Sequence, residues 1–229
     1  MTIITRSDEL MDETIRRQKI RIPDYTMNEE RFNSTSHLLG AFFGSLALVL
    51  MMIRADGLLE MGCGILYGLT MILLYSVSAS YHALSPARES KGILRVLDHC
   101  MVFFLVLGTC IPVFLLGIGG SMGRGMLGVL IALTIFGVTL NIWDVDRFQA
   151  LSAVMNLICG WSVLIGFRPL MQRVGPYGIA LFLAGGIAYT LGAVLYAVGA
   201  KRRYWHSVFH VFCLAGTVLQ FIPIYLYLM

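Results

Sequence analysis

Hydrophobic residues occur along this chain in long runs that charged residues do not interrupt. Seven windows contain no Asp, Glu, Lys or Arg, and they cover residues 36–53, 61–81, 101–118, 125–142, 148–167, 174–200 and 204–229. A helix of about 18 to 20 apolar residues crosses about 30 Å of hydrocarbon at about 1.5 Å per residue. The pattern therefore predicts seven membrane-spanning helices, which we number spans 1 to 7.

Composition supports the same class of protein. Hydrophobic residues make up 58% of the chain, charged residues make up 13%, and the mean hydropathy is +0.78. Buried helices of a large soluble protein are the alternative, but so few charged residues could not cover its surface. We therefore expect an all-α, multi-pass protein of the cell membrane, with residues 33–229 forming a seven-helix transmembrane domain.

Residues 1–32 differ from the rest of the chain, because they carry both signs of charge and lack the apolar core of a secretory signal. We expect a polar cytoplasmic tail that is solvated and partly disordered. A short helix on the membrane surface is the alternative, and its apolar positions would be Ile3, Ile4, Leu10, Met11 and Ile15.

Basic residues predict the orientation of the chain. Thirteen of the 17 Lys and Arg residues lie in the tail and in the loops after spans 2, 4 and 6, and four lie in the loops after spans 1, 3 and 5. The positive-inside rule then predicts a cytoplasmic amino terminus and an extracellular carboxy terminus. This asymmetry also accounts for the net charge of +4 without a nucleic-acid partner.

All five histidines fall at the predicted cytoplasmic ends of the spans. On span 7 one polar stripe repeats at offsets of 3 and 4, through His206, His210, Cys213, Thr217 and Gln220. Such a stripe should face the interior of the bundle, because an imidazole in lipid would lose its hydrogen bonds.

Two further polar stripes are predicted at the same depth. Span 2 carries Tyr75, Ser78 and His82 on one face, and span 3 carries Asp98 and Thr109 on one face. The three stripes should therefore meet at one site inside the bundle.

Histidine is the residue type that suggests a metal here. The i, i+4 pair His206 and His210 can direct two ring nitrogens at one point, and His82 can complete the three-imidazole set typical of catalytic zinc. Structural histidines that form hydrogen bonds between helices are the alternative reading of the pair.

We expect the remaining histidines and the cysteines to have structural rather than metal-binding roles. Asn33 and Ser34 suggest an N-cap before His37, for which we expect a hydrogen-bonding role rather than metal ligation. His99 and Asp98 point about 100° apart on a helix, and Asp98 is preferred at the site. The cysteines have no paired spacing and are expected to be small core residues.

Four blocks resemble the signature of the haemolysin III family, the bacterial branch of the progestin and adipoQ receptor superfamily. They are NSTSHLLG (33–40), SASYHAL (78–84), RVLDHC (95–100) and HSVFHVFCLAG (206–216). The resemblance implies a seven-helix bundle in which His82, His206 and His210 bind zinc near the cytoplasmic face. It further implies that Ser78 and Asp98 lie in the surrounding shell.

Gln220 departs from this resemblance, because related sequences often carry another histidine there. It follows His210 by ten residues, which is about 15 Å along a helix axis, so it lies too deep to be a ligand of the same metal. The departure leaves the zinc prediction intact but argues against a proton-relay role at this position.

The predicted chemistry is lipid hydrolysis. Zinc held by three neutral imidazoles lowers the pKa of bound water from about 15.7 toward about 7. Asp98 could then orient or deprotonate the water, and Ser78 could stabilise the oxyanion. The predicted substrate is a membrane lipid with an acyl amide or ester, as the superfamily's alkaline ceramidases also suggest.

Alternative functions remain at this point. The same zinc site could serve a lipid-responsive regulator of membrane homeostasis, or it could be purely structural in a receptor-like protein. A pore-forming haemolysin is a further alternative, although a secreted pore former should have a soluble surface and an export signal.

Overall fold

The computed structural model describes residues 20–88, 90–199 and 202–229, and all regular secondary structure within these ranges is helical. The surface helix considered for residues 3–15 lies outside the described residues. The helices are α1 (Met27–Arg54), α2 (Leu58–Ala83), α3 (Ser90–Pro112), α4 (Gly120–Trp161), α5 (Phe167–Gly199) and α6 (Trp205–Tyr227). A π-helical turn, Val113–Ile118, follows α3, and a 3-10 turn, Ser162–Gly166, joins α4 to α5.

Five helical stretches within the described ranges are long and apolar enough to cross a membrane. They are Met27–Arg54, Leu58–Ala83, Ser90–Ile118, Gly120–Gly199 and Trp205–Tyr227, with mean hydropathies between 1.7 and 2.6. The all-helical membrane architecture is therefore confirmed. The count of seven spans and the orientation of the termini stay predictions.

The 80-residue stretch Gly120–Gly199 contains two breaks in its backbone. Asp144 has φ −160° and ψ 93°, and its Oδ1 accepts a hydrogen bond from the Arg147 N–H at 3.0 Å. Gly175 has φ 68° and ψ 179°, a conformation that favours glycine, and Pro176 follows it. The break at Asp144 lies between predicted spans 4 and 5, and the break at Gly175 lies at the start of predicted span 6.

Small residues allow α1 to pack closely along α2. A Cβ at Gly40 would lie 2.7 Å from the ring of Tyr75, and one at Gly44 would lie 3.0 Å from the Cβ of Met71. The GxxxG spacing of Gly40 and Gly44 therefore brings the two backbones together. Helix α1 also contacts α6, and a Cβ at Gly40 would lie 2.8 Å from Leu214 of that helix, so α1 and α6 are neighbours.

Helix α1 begins earlier than its sequence suggested. Thr26 is its N-cap: the Thr26 Oγ1 accepts from the Glu29 N–H at 3.3 Å, and the Glu29 Oε2 accepts from the Thr26 N–H at 2.9 Å. The expectation that Asn33 and Ser34 cap the helix is wrong, because this reciprocal capping box starts the helix at Met27. Glu29 and Glu30 are consequently helical and buried.

Candidate metal centre

Three histidines converge where the end of α2 meets the start of α6. The Nε2 atoms of His82 and His206 lie 3.3 Å apart, and those of His206 and His210 lie 3.0 Å apart. His82 and His210 are buried and His206 is half-buried. The nitrogen atoms of all three lie within 4.8 Å of one another, so the cluster could hold a metal ion.

The spacing of these nitrogens fits a tetrahedral metal. Zinc with Zn–N distances of about 2.0–2.1 Å separates its nitrogen ligands by about 3.3–3.4 Å. Hydrogen bonds alone satisfy the cluster poorly, because the His206 Nε2 contacts two other Nε2 atoms but carries a single proton or a single lone pair. A cation facing three lone pairs would satisfy all three nitrogens.

The other nitrogen of His82 is held by a buried ion pair. The His82 Nδ1 lies 2.6 Å from the Oε2 of Glu30, and the Nζ of Lys91 donates to the Oε1 of the same carboxylate at 2.6 Å. Lys91 also donates to the Leu84 carbonyl at 2.7 Å. An ionised carboxylate can only accept, so a neutral His82 would donate through Nδ1 and present the lone pair of its Nε2 to the cluster.

An elongated cavity of about 180 Å³ opens beside the histidines. Ser78 and Asp98 line it together with His206 and His210, and it extends along α6 as far as Gln220. From residue 206 to residue 220 is about 21 Å along a helix axis. Most of the remaining wall is apolar, including Val102, Leu105, Val106, Val113, Leu157 and Phe182.

Comparison with known proteins assigns this architecture to a family. The model of the family described as "Haemolysin-III related" matches residues 25–221, which is most of the chain. The chain belongs to the haemolysin III family. With its five long apolar helices, it is a multi-pass integral membrane protein.

Similar proteins come from bacteria and from an insect. The chain is 30% identical to "Hemolysin-3" of Bacillus cereus over 206 residues, covering 89% of this chain and 93% of that protein. It is 31% identical to "Hemolysin-3 homolog" of Bacillus subtilis (strain 168) over 207 residues, covering 89% and 96%. It is 24% identical to "Adiponectin receptor protein" of Drosophila melanogaster over 228 residues, covering 86% of this chain and 50% of that one.

The segment before α1 covers one side of the histidine cluster in this haemolysin III protein. The Arg21 N–H donates to the Asp146 Oδ2 at 3.0 Å. Four residues later, the ring of Tyr25 stacks on His206, with centroids 4.9 Å apart and planes inclined by 19°. Burial raises the pKa of the Tyr25 phenol well above its usual value, so this cover is uncharged.

His37 lies beside the cluster without joining the three-histidine group. Its ring stacks on His210, with centroids 3.6 Å apart and an interplanar angle of 14°. Neither ring nitrogen of His37 forms a hydrogen bond with the described residues. The hydrogen-bonding role expected for His37 is therefore wrong for the described residues. Instead, its ring stacks on the ring of His210.

Both ring nitrogens of His99 lie within hydrogen-bond distance of other residues. Its Nδ1 lies 2.9 Å from the Arg95 carbonyl oxygen, and its Nε2 lies 3.3 Å from the Tyr196 hydroxyl. Asp98, the neighbour preferred from sequence, lines the cavity but does not belong to the group of three ligand atoms. Both residues thus border the cluster from α3 without entering it.

The predicted stripe on α6 faces the interior. Below the two histidines, the Thr217 hydroxyl is hydrogen-bonded to the Tyr75 hydroxyl at 2.5 Å and to the Tyr189 hydroxyl at 2.7 Å. Cys213 and Gln220 line the cavity on the same face. The five cysteines are free, as expected, and they are Cys63, Cys100, Cys110, Cys159 and Cys213.

Sequence reasoning missed the residues that support His82. Glu30 fell within the predicted tail, and Lys91 was counted only as a loop charge. A signal for Glu30 did exist, because the interior stripe of α1 continues backwards from His37 through Asn33 to Glu30 at offsets of 4 and 3. Nothing comparable pointed to Lys91, whose partner lies 61 residues away in the chain.

Proposed function

We propose that this protein binds zinc through His82, His206 and His210 and hydrolyses an acyl amide or ester of a membrane lipid. One observation carries the proposal: two of the three clustered imidazoles, His206 and His210, border an elongated apolar cavity whose wall also includes Asp98 and Ser78. Three imidazoles suit zinc, and a three-ligand site leaves a position open for water or substrate.

The cavity suggests the class of substrate. Its wall is largely apolar and includes His206, His210 and Asp98 at one end, an arrangement suited to an acyl chain with a polar linkage at that end. Each CH₂ group buried there would contribute about 0.8 kcal/mol to binding. The linkage would then lie beside the histidines, and the chain would extend toward Gln220.

Two side chains would act on the linkage. When bound, zinc supplies a Lewis acid that activates water. Asp98 accepts a proton from the attacking water and returns it to the leaving amine or alcohol. Ser78 donates a hydrogen bond to the carbonyl oxygen as that oxygen gains negative charge.

The proposed topology has seven spans, with the amino terminus in the cytoplasm and the carboxy terminus outside. The breaks at Asp144 and Gly175 support it, because they divide Gly120–Gly199 into three helical segments. The histidine cluster would then lie at the cytoplasmic end of the bundle.

A lipid-responsive regulator built on the same site is the second candidate. The similarity to a protein named as an adiponectin receptor favours it. In that case lipid would occupy the cavity and change the packing of the helices without being cleaved. Binding of an uncleaved acyl lipid, with no product, is the result that would distinguish this candidate from the hydrolase.

The test uses purified full-length protein in lipid nanodiscs and in liposomes. We expect about one zinc per chain and release of fatty acid from an acyl amide or ester lipid, detected by mass spectrometry, with both lost in His206→Ala. Equal hydrolysis by His206→Ala would contradict the hydrolase. Conductance in liposomes would instead support a pore, and zinc-dependent stability without lipid binding or turnover would support a structural site.

A further inference from the structure

We infer that Glu30 is a positioning residue for the metal centre, and that it holds His82 in the orientation and tautomer that a metal requires. The inference rests on the metal site of the proposed function, but it does not depend on lipid hydrolysis. Glu30 touches His82 and Lys91, and neither contact involves the cavity or a substrate.

The Glu30 carboxylate joins three helices. It projects from the first turn of α1, its Oε2 accepts from His82 near the end of α2, and its Oε1 accepts from Lys91 near the start of α3. Both contacts are 2.6 Å long, slightly shorter than the about 2.7–2.9 Å of charge-assisted N–H···O hydrogen bonds. Because each oxygen has its own donor, the carboxylate cannot rotate without losing one of them.

This contact selects the tautomer of His82. With its proton on Nδ1 and directed at Glu30, the imidazole leaves Nε2 as a lone pair aimed at His206 and His210. A metal-ligating histidine characteristically donates its other N–H to a carboxylate, which fixes the ring and makes the ligand more basic. Without this acceptor the proton can occupy Nε2, where it blocks ligation.

Lys91 holds the carboxylate in place. Its side chain is fully buried, and its Nζ contacts both Glu30 and the carbonyl of Leu84, the C-cap residue that follows α2. A cation is favourable at the end of a helix, where carbonyl groups lack intrahelical partners. The pair thus anchors the last turn of the helix that carries His82.

The adjacent residue provides a matched control. Glu29 is also buried in the first turn of α1, but its carboxylate accepts from the Thr26 N–H at 2.9 Å and from the Tyr204 N–H at 2.6 Å. It contacts helix ends rather than a histidine. Glu29→Gln therefore disturbs the same region of the protein without changing the hydrogen bond to His82.

The test measures zinc affinity of the full-length protein in nanodiscs by competition with a fluorescent chelator. Absorption spectra of the Co²⁺-loaded protein report the ligand geometry. Glu30→Gln should weaken zinc binding by about 10- to 100-fold and alter the Co²⁺ spectrum. Glu29→Gln should leave both unchanged. Wild-type zinc affinity in Glu30→Gln would overturn the inference, and so would an equal loss in the two variants.

A double variant tests whether a folding defect, rather than the loss of the contact with His82, weakens zinc binding. Glu30→Gln with Lys91→Met removes both buried charges, and replacing a buried ion pair with uncharged residues is often neutral for stability. The double variant should fold and still bind zinc as weakly as Glu30→Gln. Recovery of wild-type affinity would overturn the inference, because Glu30 would then serve only to neutralise Lys91.

The inference and the proposed function can fail separately. Zinc binding that depends on Glu30, in a protein that cleaves no lipid, would uphold the positioning role and reject the hydrolase. A wild-type protein that binds no zinc would reject both.

Discussion

Replacing Thr217 with Val should destabilise the bundle at the inner end of the polar stripe on α6. The hydroxyl of Thr217 is buried and hydrogen-bonded to Tyr75 and to Tyr189, at 2.5 and 2.7 Å. Valine has nearly the same shape but cannot form either bond. The substitution therefore isolates the hydrogen bonds from the packing.

The expected cost follows from what each phenol loses. The Tyr189 hydroxyl has no other partner among the described residues, and an unsatisfied buried polar group costs about 1–3 kcal/mol. The Tyr75 hydroxyl keeps a weak contact with the Cys213 carbonyl at 3.4 Å, so its loss should lie near the lower end, about 1 kcal/mol. Together these losses predict a decrease of about 2–4 kcal/mol in the free energy of unfolding.

The assay is equilibrium unfolding of purified protein in mixed micelles, with two controls. Thr139→Val makes the same chemical change at an exposed position, where the hydroxyl only contacts the Ile135 carbonyl, and it should change stability by no more than about 0.5 kcal/mol. Thr217→Ser keeps the hydroxyl and should retain most of the stability. If Thr217→Val were as stable as Thr139→Val, the stripe would not have the energetic role assigned to it.

Three further predictions address chemistry, topology and access. Asp98→Asn should keep its zinc while lipid hydrolysis falls by about 100- to 10,000-fold, measured on one preparation; unchanged turnover would exclude Asp98 as the base. A reporter fused after Met229 should be extracellular and one inserted after Arg88 cytoplasmic, and the reverse pair of signals would refute the topology. Tyr25→Ala should speed the removal of zinc by an added chelator, because the ring covers His206; an unchanged rate would show that metal exchange follows another route.

The apolar spans could be predicted because hydrocarbon thickness sets the length of a spanning helix. The start of α1 could not be predicted from hydropathy in the same way. Residues 29–31 are charged and seemed to lie outside the membrane domain, but Glu29 caps two helix ends and Glu30 pairs with Lys91. Charges that have partners can continue into a helix, and hydropathy does not reveal the partners.

The histidine cluster could be predicted because its geometry is largely local. His206 and His210 share a face through helix periodicity, and the cost of exposing imidazole to lipid directs that face inward. The supporting contacts depend on residues far apart in the chain. Neither the stacking of Tyr25 on His206 nor the pairing of Glu30 with Lys91 follows from a period along one helix.

Zinc content of the purified protein tests the central claim most directly. We predict about one zinc per chain in the wild-type protein and in His37→Ala, because His37 only stacks against the cluster. The double variant His206→Ala, His210→Ala should retain almost none, since it keeps a single histidine of the three. Full zinc occupancy in the double variant would contradict the account.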